Sequence, residues 1–90
     1  MKHVVIRSSQ SGVWFGKLES QSGDSFTLLN ARRAYYWEGA ATCSQLATHG
    51  PKGGKICLPV SRVQVLGVCE CLDASEAAVK QWNEVPAWQL

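Results

Sequence analysis

Val13-Trp14-Phe15-Gly16-Lys17-Leu18-Glu19-Ser20, then Gln21-Ser22-Gly23-Asp24, then Ser25-Phe26-Thr27-Leu28-Leu29-Asn30 is the stretch that decides the fold. The first segment alternates. Val13, Phe15 and Lys17 fall on one face of an extended chain, and Trp14, Gly16 and Leu18 on the other. Gly23 accepts the positive φ that a tight turn demands, so the two segments read as a hairpin. Working outward, Lys2 to Ser8 is an earlier strand that stops at the turn-rich cluster Ser8-Ser9-Gln10-Ser11-Gly12. Arg33 to Trp37 reads as a fourth strand.

Glu38-Gly39-Ala40-Ala41 breaks that run. Thr42-Cys43-Ser44-Gln45 has the spacing of a capping box, with Thr42 as N-cap, Leu46 as the inward anchor, and Gly50-Pro51 as the stop. Pro51 to Lys55 reads as a loop. Ile56 to Val60 is extended but broken by Pro59, which cannot donate to a ladder. Arg62 to Leu72 reads as one long strand. Asp73-Ala74-Ser75-Glu76 reads as a second capping box, opening a helix that Pro86 ends. Four strands, a helix, one or two strands and a helix show no strand-helix alternation. The expected class is α+β, a small mostly antiparallel β-sheet with two short helices, in one domain over residues 1–90.

Ninety residues bury only a modest core, and oligomerisation is the natural remedy. An apolar fraction of 46% argues against disorder. No apolar run approaches the ~20 residues of a membrane helix, and Met1 to Ile6 is too short for a signal peptide, so a cytoplasmic protein is expected. A net charge of +2 is weak for a binder of duplex nucleic acid, yet sufficient for a small anion.

Cys43, Cys57, Cys69 and Cys71 lack the spacing of a zinc site and read as buried, reduced thiols. His3 and His49 have no catalytic partner at a recognisable spacing, so no catalytic residue and no cofactor is expected. Gly50-Pro51-Lys52-Gly53-Gly54-Lys55 fails as a phosphate loop. His49 stands where the first glycine belongs, and Ile56 where a hydroxyl would hold magnesium.

Asn30-Ala31-Arg32-Arg33-Ala34-Tyr35-Tyr36-Trp37 carries the chemistry of nucleotide recognition. Guanidinium groups bind phosphate oxygens in pairs, and aromatic faces stack on bases. In a regular strand Arg32 and Arg33 face opposite ways, Tyr35 and Trp37 lie with Arg33, and Tyr36 lies with Arg32. One arginine can then serve a pocket while the other pairs with Glu38 or Glu19. The aromatic row suits a core or an oligomer interface as well as a ligand platform.

That motif, with Gly39-Ala40-Ala41, Ser44-Gln45-Leu46-Ala47, Arg7, Gly12-Val13, Phe15-Gly16 and the ending Val85-Pro86-x-Trp88, resembles a small phage and prophage family. That family is related to the first type of Thoeris anti-defence protein. The resemblance spans nearly the whole chain. It implies a sponge that sequesters cyclic ADP-ribose isomers without cleaving them, inside an infected bacterial host. It also implies a homo-oligomer, a dimer or a trimer of dimers, and binding of cyclic di- or trinucleotides at a separate site. The motif and the matching positions make Arg7, Phe15, Asn30, Arg32, Arg33, Tyr35, Tyr36 and Trp37 the candidate ligand-binding residues. The competing expectation is a phage protein that inhibits a host enzyme by direct protein-protein binding.

Overall fold

The computed structural model describes residues 1–90 throughout. Its elements are β1 (His3–Ser8), β2 (Gly12–Ser22), β3 (Ser25–Glu38), α1 (Cys43–Thr48), β4 (Gly53–Ile56), β5 (Val60–Val65), β6 (Val68–Asp73) and α2 (Glu76–Glu84). All strand pairings are antiparallel. The lateral order is β4-β3-β2-β1-β6, with β5 beside β3. The fold is therefore α+β with a six-stranded antiparallel sheet and two short helices. None of its helices is long and apolar enough to cross a membrane.

The expected long strand from Arg62 to Leu72 is one run bent in the middle. β5 opposes β3 and β6 opposes β1, so both legs run the same way on either side of Leu66-Gly67. Gly67 has φ +69, a value side chains other than glycine rarely adopt. The bend is held by the Ser8 hydroxyl, which donates to the Leu66 carbonyl, and by the Ser9 amide, which donates to the Gly67 carbonyl at 2.9 Å. Because one leg pairs with β3 and the other with β1, the sheet curls until its two edges are joined by one chain.

Bulges permit the curl. Phe15 opposes Arg32 and Lys17 opposes Leu29, so Gly16 alone faces both Asn30 and Ala31. Asn30 sits at φ +48, the left-handed region that asparagine tolerates better than most residues. The chain therefore does not break there. The two strands expected on either side of Ala31-Arg32, Ser25 to Asn30 and Arg33 to Trp37, are one 14-residue strand, β3. A second bulge between Ala34 and Tyr36 shifts the alternation again, so Trp37 packs beside Ala34 and not with Arg33 as regular alternation required.

Each face of the curled sheet has its own core. Val4, Ile6, Phe26, Leu28, Ala31 and Val65 fill the inside. Val5, Val13, Phe15 and Ala34 on the outside meet Leu46 from α1 and Trp82 from α2. Phe15 and Trp82 stack with centroids 5.0 Å apart and planes 3° apart, and the Trp82 indole donates to the Leu46 carbonyl at 3.0 Å. Thr42 caps α1 as expected, accepting from the Gln45 amide at 3.2 Å, while the Gln45 side chain reaches the Ala41 amide at 2.8 Å. The cap of α2 is Ser75, which accepts from the Ala78 amide at 3.0 Å. Asp73, the expected cap, remains in β6 and pairs with Lys2 at 2.9 Å.

The glycine-lysine loop is partly strand β4, laid against the end of β3. Gly54 is required there for close packing, since a Cβ would collide with the Tyr36 carbonyl. The cysteines also depart from expectation. Cys69 and Cys71 are exposed, and Cys43 and Cys57 are half-buried. Cys69 is the extra residue of a bulge in β6, which turns it out of the regular alternation.

Candidate functional site

A row of three side chains crosses the helix-facing side of the sheet. Glu70 on β6 opposes Arg7 on β1, and Arg7 opposes Val13 on β2. These residues floor a cleft of about 420 Å³. Its walls are the Trp37 indole, from the end of β3, and the segment Ala41 to Ser44 that opens α1. The volume lies within the usual range for small-molecule sites.

The charges in this cleft are unspent. Opposite charges directly across an antiparallel pair normally attract one another. Yet the ion pairs of this protein are Lys2–Asp73 and Arg62–Glu19, and neither Arg7 nor Glu70 takes part in one. The Trp37 indole is fixed, donating to the Ala40 carbonyl at 3.1 Å, so its face is presented without a rotamer search. The Cys43 thiol is pushed above its ordinary value, first by burial and then by the nearby Glu70 carboxylate. It therefore offers an S–H and not a thiolate nucleophile. No group of three or more His, Cys, Asp or Glu side chains is arranged to hold a metal.

Two of the eight candidate residues, Arg7 and Trp37, meet in this cleft although thirty positions separate them. Two others are withdrawn by burial. Phe15 is 1% exposed, clamped between His3 and Trp82, and cannot touch a ligand. Arg32 is 3% exposed and has committed four of its five N–H donors. Its Nε donates to the Cys57 carbonyl at 2.9 Å, Nη1 to Trp82 at 2.6 Å and Val85 at 2.7 Å, and Nη2 to Ile56 at 3.4 Å. Burial lowers its pKa from the ordinary value, the expected cost of a cation held among carbonyls without a carboxylate. Arg32 is thus a structural clamp. Glu19, suggested as a partner for one of the two arginines, pairs with Arg62 at 3.2 Å instead.

The remaining candidates lie outside the cleft. Arg33 is half-buried, with its guanidinium 5.7 Å from the Trp14 ring centroid. Asn30 is exposed at its bulge. Tyr35 stacks on Trp88 with centroids 5.6 Å apart, and Lys55 Nζ stands 5.9 Å from the one ring and 5.1 Å from the other. Tyr36 is exposed beside them. Glu70 is the charged cleft residue that sequence reasoning missed, because only the β1–β6 register brings it opposite Arg7.

No curated protein matches this chain, and no solved structure does. A family model described as a domain of unknown function, DUF6948, matches residues 1–82, which carry every strand, α1, most of α2 and the whole cleft. The chain belongs to that family.

Proposed function

We propose that this protein is a binding protein that sequesters a nucleotide, with a cyclic ADP-ribose isomer or a cyclic oligonucleotide as its ligand and no chemistry performed on it. The observation that carries this reading is the free Arg7 guanidinium beside the fixed Trp37 indole in one cleft. A guanidinium grips a phosphate and an indole face receives a base. The resemblance to Thoeris anti-defence sponges supplies the biological setting, a phage protein that starves an immune effector of its signal.

Homo-oligomerisation belongs to the same proposal. Tyr35, Tyr36, Leu58, Leu66 and Trp88 leave 42% to 64% of their surface exposed, a large apolar load for a chain of this size. A second copy would cover it, and sedimentation at micromolar concentration reads the outcome directly. The same exposed apolar side chains favour the second reading, inhibition of a host enzyme by direct contact.

A thermal-shift screen with cyclic ADP-ribose, cyclic dinucleotides and cyclic trinucleotides separates the two. A ligand at 100 times its Kd stabilises by about 2.7 kcal/mol, or roughly 10–20 °C in a domain this small. Arg7→Ala should abolish the shift, and ligand recovered after denaturation should be intact. No shift with any nucleotide refutes the binding reading, and recovery of a hydrolysed product refutes sequestration.

A further inference from the structure

We infer that Glu70 makes the cleft selective for a ribonucleotide, accepting hydrogen bonds from ribose hydroxyls while Arg7 holds the phosphate. This rests on the nucleotide reading above and specifies which part of the ligand faces which wall.

The cleft is not simply basic. Arg7 and Glu70 oppose each other in the β1–β6 register and both line the cavity, yet they do not bond to each other. A ligand that carried only phosphates would meet repulsion from the carboxylate. The complementary ligand brings an anion to Arg7 and neutral donors to Glu70. An ionised carboxylate accepts through two oxygens and donates nothing, so it fits hydroxyls and rejects a second phosphate. Adjacent ribose hydroxyls on a ring joined to its phosphate through the 5′-carbon and 5′-oxygen supply that pairing, and acidic side chains read ribose hydroxyls in this way elsewhere.

The other walls agree. Trp37 and Val13 give an apolar surface for the planar base. The other polar side chains of the lining, Thr42, Ser44 and the protonated Cys43 thiol, are neutral, so Glu70 is the one charged acceptor that faces the ribose. A free zwitterionic amino acid also pairs an anion with a donor, but it fills far less than about 420 Å³ and leaves the indole uncovered.

The test is calorimetric titration of the full chain with adenosine diphosphate and with 2′-deoxyadenosine diphosphate. The same titrations are made on Glu70→Gln and Arg7→Ala. The ribo form is expected to bind the parent ten- to a hundredfold more tightly than the deoxy form, the effect of one charge-assisted hydrogen bond. Glu70→Gln should reduce that ratio to within threefold while still binding the deoxy form. Arg7→Ala should lose both ligands. Equal affinity of the parent for the two forms overturns the role of Glu70 and leaves nucleotide binding standing. An unchanged ratio in Glu70→Gln overturns it as well. Absence of adenosine diphosphate binding overturns this inference, and if cyclic ADP-ribose also gives no thermal shift the nucleotide reading falls with it.

Discussion

Replacing Arg32 should unfold this protein before it impairs any ligand. Arg32 is 3% exposed and its guanidinium reaches four carbonyls, those of Cys57, Ile56, Trp82 and Val85. Trp82 and Val85 stand at the C-terminal end of α2, whose last turn contains no basic residue of its own. Arg32 supplies the missing cation to the negative end of that helix. Hydrogen bonds to a charged donor contribute about 1.5–3 kcal/mol each, but they share one group, and some of the freed carbonyls will be reached by water. The sum is therefore bounded by the ~3–5 kcal/mol measured when one partner of a buried charged network is removed. A 90-residue domain has a total stability of about 5–13 kcal/mol, so Arg32→Ala should consume about a quarter of it or more. The expected fall in melting temperature is roughly 12–40 °C. Arg32→Lys should recover only part, because an ammonium lacks the fork that spans β4 and α2 together. Thermal and urea denaturation followed by circular dichroism measure both variants. If Arg32→Ala melts within about 2 °C of the parent and yet loses ligand, Arg32 is a binding residue and the clamp argument is wrong.

Gly67→Ala places a side chain at φ +69, with its Cβ 3.0 Å from Ser9 Oγ and Gln10 Nε2, and should cost about 1–2 kcal/mol. Gly53→Ala, where a Cβ meets nothing within 4 Å, is the control and should cost less than about 1 kcal/mol by the same denaturation assay. The His3 pKa is lowered in the fold, first by burial and then by Lys17, so the unfolded chain binds the proton more readily. The stability His3 contributes is present above pH 6.5, its ordinary value, and is lost as pH falls through the folded value. Stability should thus decline between pH 7.5 and 5.5, with a shallower slope in His3→Gln. An identical slope in that variant would remove His3 from the account.

The sequence by itself determined the meander, both helices, the class, and the caps whose chemistry is local. Thr42 with Gln45, Gly50 with Pro51, and Gly23 act within a few residues, so their reading needs no knowledge of the rest of the chain. It also determined that Leu46 points inward, and it identified Arg7 and Trp37 as candidate residues. Tertiary structure decided everything that depends on register. The strict alternation read along Arg32 to Trp37 fails because a bulge at Tyr35 shifts the faces by one residue, and a bulge is set by the partner strand. Asp73 carries the signature of a cap, but pairing with Val4 keeps it in β6 and passes the cap to Ser75. Arg32 and Arg33 are chemically equal neighbours in sequence. Only the docking of α2 turns one into a buried clamp and leaves the other over Trp14. The cleft itself joins positions 7, 37 and 70, and no local rule connects them. Side-chain chemistry is written in the sequence residue by residue, whereas the meeting of Arg7 with Glu70 is a property of two strands, fixed by the hydrogen-bond ladder that pairs them.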